Sequence, residues 1–65
     1  MFEYIDYDTG DKITINPTHI SYIKPCQVNP TKELTAISIY GNCVIVVEES
    51  YSRVSAQFQL YIDSI

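Results

Sequence analysis

"LTAISIYGNCVIVVEES", residues 34–50, reads as two apolar runs folded back on each other at Gly41-Asn42. A Gly-Asn step between β-rich runs predicts a two-residue hairpin turn of type I′ or II′. Such a turn sets Tyr40 opposite Cys43, Ile39 opposite Val44, Ser38 opposite Ile45, Ile37 opposite Val46 and Ala36 opposite Val47. Ile37, Ile39, Val44 and Val46 then share the face assigned to the core, joined by Ile5, Ile13 and Ile15. Ala36, Ser38, Tyr40, Cys43, Ile45 and Val47 share the other, which is more apolar than a wetted sheet face needs to be.

The segments on either side supply the rest of a fold. "FEYIDYD" (2–8) and "DKITIN" (11–16) flank Asp8-Thr9-Gly10, which suits a three-residue loop with Gly10 left-handed. That loop opposes Tyr7 with Asp11, Asp6 with Lys12 and Ile5 with Ile13, matching charge with charge and apolar with apolar. In "NPTHI" (16–20), Asn16 can cap and Pro17 suits a first helical position, predicting one helical turn. "ISYIKPCQV" (20–28) reads as a third strand. Pro25 cannot donate to a ladder, so it marks an edge, a bulge or a break. "NPTKE" (29–33) is the longest polar loop and the expected mobile segment, and no internal repeat or low-complexity segment is visible.

Beyond the central hairpin, Ser50 is a good N-cap, with Arg53 in place of Glu at the third helical position. Tyr51, Val54, Phe58, Tyr61, Ile62 and Ile65 recur at helical spacing and form one apolar stripe. The expected fold class is therefore α+β, mainly β. It is a small, strongly bent antiparallel sheet of about five strands with one C-terminal helix, in a single domain over 1–65. One helix can cover one sheet face, which leaves the second to curl on itself or to meet another chain. Tyr40, Cys43, Ile45, Val47 and Tyr22 are the residues expected to contact a partner, in a homo-oligomer or with another protein.

Composition narrows the function. At 65 residues the chain is near the lower size limit for a self-sufficient core, which favours association. Two cysteines are too few for a disulfide scaffold. "FEYIDYD" after Met1 is no secretory signal, and no apolar run approaches a membrane span, so a cytoplasmic location is expected. Eight acidic residues against four basic ones give a net charge of −4. That balance speaks against nucleic-acid binding, which needs clustered Lys and Arg. Six tyrosines and no tryptophan favour a protein interface over a base-stacking platform.

No constellation points to an enzyme, a metal or a cofactor. His19, Cys26 and Cys43 lack metal-ligand spacing. Asp6, Asp8 and Asp11 lack the ligand order of a calcium loop and read as turn chemistry. Glu3, Glu48 and Glu49 lack an evident cleft, and the latter two precede a helix start, where negative charge is favourable. A small molecule or nucleotide held between subunits would need Lys24, Arg53 and His19 to converge.

"TGDKITINPTHISYI" (9–23) and "GNCVIVVEESYSRV" (41–54) resemble the small flagellar and swarming proteins of the SwrD/FlbD type. Those proteins share a Gly-containing turn, a strand ending in an Asn-rich step, a strand ending in Val-x-Glu-Ser and a terminal helix. The matching stretches cover nearly half the chain. The resemblance implies this order of elements and a non-enzymatic adaptor or regulatory role. Two features depart from the pattern: the connection "KPCQVNPTKEL" (24–34) is long, and the end is tyrosine-rich instead of basic. Similar short chains occur widely in bacteria and their phages, so the alternative expectation is a phage-encoded inhibitor of a host or defence protein, acting in the host cytoplasm.

Overall fold

The computed structural model describes residues 2–65. Five antiparallel strands and one helix make an α+β fold: β1 (Phe2–Ile5), β2 (Lys12–Ile15), β3 (Ile20–Cys26), β4 (Leu34–Ile39), β5 (Cys43–Val47) and α1 (Tyr51–Asp63). The strands form two sheets, β1-β2 and β3-β4-β5, rather than one strongly bent sheet, and neither is strongly curled. They touch where Asp6 bridges Val47, with Tyr7 N–H donating to Val46 O and Glu48 N–H to Ile5 O, both at 2.9 Å.

Each hairpin loop holds one residue more than its sequence suggests, and each correction turns a strand over. In the first hairpin Phe2 pairs with Ile15, Tyr4 with Ile13 and Ile5 with Lys12. The loop is Tyr7–Gly10, closed by Gly10 N–H donating to Asp6 O, with Gly10 left-handed as expected (φ 77°). The expected pairing of Ile5 with Ile13 is therefore wrong. A slip of one residue exchanges the faces of a strand, and this register buries two aromatic rings where the other would bury Ile5. Phe2 and Tyr4 enter the core, while Ile5 turns outward.

The second hairpin repeats the lesson. Ile39 pairs with Cys43, Ser38 with Val44, Ile37 with Ile45, Ala36 with Val46 and Thr35 with Val47. The loop is Tyr40-Gly41-Asn42, with both Tyr40 (φ 57°) and Gly41 (φ 79°) left-handed. A tyrosine there is strained by roughly 1–2 kcal/mol. It is held by His19: Tyr40 N–H donates to His19 O at 3.1 Å, and the two rings lie 4.7 Å apart. Ile45 and Val47 consequently face the core, and Val44 and Val46 face away from it.

The core is one continuous surface across both sheets. Phe2, Tyr4, Ile15, Ile37, Val47 and Val54 form its buried centre, with Ile13, Ile20, Ile23, Ile39, Ile45, Phe58 and Tyr61 packed around them. Phe2 is clasped edge-on by Tyr4, Phe58 and Tyr61 at centroid distances of 6.3, 6.4 and 6.3 Å. The helix starts as expected, with Ser50 Oγ accepting from Arg53 N–H at 3.3 Å. Its stripe is narrower than expected: Val54, Phe58 and Tyr61 reach the core, while Tyr51, Ile62 and Ile65 are exposed.

The tripeptide Asn-Pro-Thr occurs twice, at 16–18 and 29–31, and makes the same local hydrogen bonds each time. Asn16 Oδ1 accepts from Thr18 N–H and Oγ1 at 3.1 and 2.9 Å and caps the 3-10 turn Pro17–His19. Asn29 Oδ1 accepts from Thr31 N–H and Oγ1 at 3.0 and 2.7 Å. Pro25 lies on β3, which pairs on one side alone, the edge position at which a sheet tolerates proline.

Candidate functional site: the outer sheet face

With the helix on one face of β3-β4-β5, the opposite face is what the fold leaves for recognition. Residues directly paired across strands point the same way, so the register assigns this outer face. It carries Tyr22, Lys24 and Cys26 from β3, Leu34, Ala36 and Ser38 from β4, and Val44 and Val46 from β5. Tyr7 joins it beside Val46 through the bridge between the sheets. Tyr22 and Val44 are the exposed pair, at 46% and 54%, and flank Ser38.

One end of the face is closed by the 29–33 loop. Asn29 Nδ2 donates to Tyr7 Oη at 3.3 Å, and Lys32 Nζ lies 5.9 Å from the centre of the Tyr7 ring. Lys32 also pairs with Glu48 at 2.9 Å, and the hydrogen bond it donates to that carboxylate holds its pKa above the ordinary lysine value. The exposure of this pair keeps its stabilising effect small.

Two buried hydroxyls on β4 behave differently. Thr35 Oγ1, on the core side, donates to Glu49 O at 2.8 Å and ties β4 to the residue before the helix cap. Ser38 Oγ, on the outer side, is buried and has no hydrogen-bond partner. An unpaired buried hydroxyl carries its desolvation cost without return. Thr35→Val is therefore expected to cost about 1–2 kcal/mol, whereas Ser38→Ala leaves stability unchanged or raises it by up to about 1 kcal/mol. Urea unfolding of both variants checks this, and a Ser38→Ala loss larger than that of Thr35→Val would show that Ser38 is satisfied in solution.

The expected contact residues are dispersed by the corrected register. Tyr22 lies on the outer face. Tyr40 is exposed at the hairpin tip, where its hydroxyl and His19 Nδ1 are 3.0 Å apart. Cys43 is exposed at the same tip but belongs to the core-side row with Ile39. Ile45 packs against the core, and Val47 is 0% exposed and offers nothing for a partner to touch. Val44 and Val46 take their place. Every residue of "CVIVV" is apolar, so alternation carries no signal for choosing between its faces; the number of loop residues sets the register and with it the face.

The three residues considered for a ligand do not converge. Lys24 is on the outer face, His19 stacks on Tyr40, and Arg53 lies on the helix with its Nε 3.9 Å from Glu49 Oε1. A depression of about 230 Å³ between Pro25, Asn29, Lys32, Leu34 and Tyr51 falls below the roughly 300–1,000 Å³ of ordinary ligand pockets, and a groove of about 390 Å³ beside Glu3, Glu49, Arg53, Gln57 and Leu60 is within that range but includes neither His19 nor Lys24. Among the described residues no group of three or more His, Cys, Asp or Glu side chains is placed to hold a metal. Asp6 Oδ1 accepts from Asp8 N–H at 2.9 Å, and Thr9 Oγ1 from Asp11 N–H at 3.2 Å, the local bonds of a turn. Among the same residues no helix is long and apolar enough to cross a membrane.

On the helix side, Tyr4 Oη donates to Gln57 Oε1. Burial raises the Tyr4 pKa above its ordinary value of 10.0, and the Glu49 charge raises it further. The fold thus prefers the neutral phenol. Its contribution to stability is complete below 10.0 and is lost as pH rises through the higher folded value. Tyr4→Phe is expected to flatten the alkaline fall in stability relative to wild type, as measured by urea midpoints on both sides of that value. Equal slopes in the two chains would show that other groups govern the fall.

Comparison of the chain with protein-family models, with curated proteins and with solved structures gave no match. The functional reading accordingly rests on the site itself.

Proposed function

We propose that this chain is a small non-enzymatic interaction protein of the cytoplasm that self-associates and modulates a larger protein partner. The observation that carries the reading is the outer face of β3-β4-β5, where Tyr22 and Val44 stand exposed on a sheet whose other side the helix already covers. The free edge of β3 is a poor alternative for association. It carries Pro25 and Lys24, and its register shifts between Ile20 and Tyr22, all features that discourage strand addition. The resemblance to SwrD/FlbD-type proteins supports an adaptor or regulator. A phage-encoded inhibitor of a host or defence protein would use the same surface. Within one chain His19, Lys24 and Arg53 lie apart, so an oligomer that sequesters a small molecule or nucleotide at subunit interfaces would have to draw them from different copies. Light scattering of the wild-type chain over a range of concentrations tests the self-associating reading. A mass above the monomer supports it, and a monomer at every concentration overturns it.

A further inference from the structure

We infer that residues 27–33, the loop between β3 and β4, form a strap that closes over Leu34 and opens to lengthen the outer face. Leu34 is 2% exposed, yet it is not part of the core cluster, and it shares an outer row with Cys26. Tyr22 and Val44, further along the same face, stand exposed. What differs at the Leu34 end is the loop. Lys32, Glu33 and Leu34 line both the depression of about 230 Å³ beside Cys26 and a second, of about 370 Å³, beside Glu48 and Ser50. The loop therefore lies between two hollows that have Leu34 in common.

The loop is held by polar tethers alone. Among the described residues its one backbone hydrogen bond, Lys32 N–H to Asn29 O at 3.2 Å, is internal, as are the bonds that Asn29 Oδ1 accepts from Thr31. Every side chain of 27–33 except Asn29 is exposed, Val28 included, so apolar burial does not fasten it. Two residues tie it down. Asn29 Nδ2 donates to Tyr7 Oη, and Lys32 Nζ donates to Glu48 Oε1 while lying over the Tyr7 ring. A segment without buried apolar contacts opens far more readily than the whole fold unfolds. An exposed ion pair adds little to closure and is screened by salt. When the tethers part, the internal bonds keep the turn, and the loop moves as a unit. Opening joins the two hollows into one groove and adds Leu34 to the apolar surface of Ala36 and Val46. The strap goes beyond the reading of that face as a contact surface and stands without it.

The test puts a thiol under the strap, as Leu34→Cys in a Cys26→Ser, Cys43→Ser background, and follows its labelling by an uncharged maleimide. Ser38→Cys in the same background is the control, since Ser38 is buried on the same strand and the same face but away from the loop. Circular dichroism verifies folding. Should Leu34→Cys not fold, native Cys26 in a Cys43→Ser chain replaces it, because Cys26 lines the same depression. Lys32→Met and Glu48→Gln are each expected to speed labelling at position 34 by about two- to five-fold, the factor an exposed ion pair is worth, with no change at position 38. The double variant should go no further than either single one. The two substitutions alter the local charge in opposite directions, so a rise with both reads access and not thiol ionisation. Raising salt from about 0.01 M to about 1 M, which shortens the screening length from about 30 Å to about 3 Å, should act on the parent chain in the same way. Unchanged labelling at position 34, a rise with only one substitution, or an equal rise at position 38 would overturn the strap. The expected labelling in a chain that light scattering finds monomeric would uphold the strap while overturning self-association.

Discussion

Phe2→Ala should cost about 3–5 kcal/mol, whereas Ile5→Ala on the same strand should cost less than about 1 kcal/mol. Phe2 is 6% exposed and sits at the centre of an aromatic cluster drawn from β1 and α1. Removing its ring leaves a cavity bounded by Tyr4, Phe58 and Tyr61, and these cannot close it without pulling the helix onto the sheet. Ile5 is 38% exposed and faces outward beside Lys12, so its truncation removes little buried area. A chain of 65 residues has a total stability of about 3–10 kcal/mol. Phe2→Ala therefore removes about a third or more of that stability, and unfolds the chain in water if the total lies at the low end of the range. Urea unfolding followed by circular dichroism reads both variants. The opposite order of costs would mean that Ile5, paired with Ile13, is the core residue and that the first hairpin has the shorter loop.

That pair of residues shows what the sequence could and could not carry. The order of elements was legible because each has a local cause: Asn16 and Ser50 as caps, Gly10 and Gly41 at positive φ, and apolar helical spacing from Val54 to Tyr61. The faces of β1 and β5 were not. Deciding them requires the number of residues in each loop, and both loops admit lengths differing by one. In β1 the choice lay between pairing Asp6 with Lys12 and burying Phe2 with Tyr4. A surface ion pair stabilises by up to about 1 kcal/mol, while an aromatic side chain buries about 150–250 Å². Burial wins by magnitude. In β5 both alternations are apolar, so no such comparison is available from the strand itself. Tertiary partners decide it: Ile45 and Val47 lie opposite Ile37 and Thr35, on the side the helix covers. The candidate site inherits this difference. The existence of a second apolar face could be read from composition and helix count, but its membership had to await the register.

Val44→Asp and Ile45→Asp, adjacent changes of the same kind, should separate cleanly for that reason. Val44 is 54% exposed on the outer face, and an aspartate there stays in water. Its effect on folding should be below about 1 kcal/mol. In an associated state it places a charge amid the apolar contact of two sheets, where burial without a partner is costly. The expected result is a folded chain of monomer mass. Ile45 packs against the core in line with Ile23 and Ile37, and a carboxylate there has no cation to pair with. Losing the apolar contact and desolvating the charge together should cost about 3 kcal/mol or more, several times the cost at Val44 and enough to unfold the chain if its total stability lies at the low end of the range. Circular dichroism and light scattering on the two variants distinguish the outcomes. A folded Ile45→Asp beside an unfolded Val44→Asp would restore the two-residue turn and exchange the faces of β5. A folded Val44→Asp that keeps the oligomeric mass of wild type would move self-association away from this sheet, to the exposed Leu60, Ile62 and Ile65 at the end of the helix.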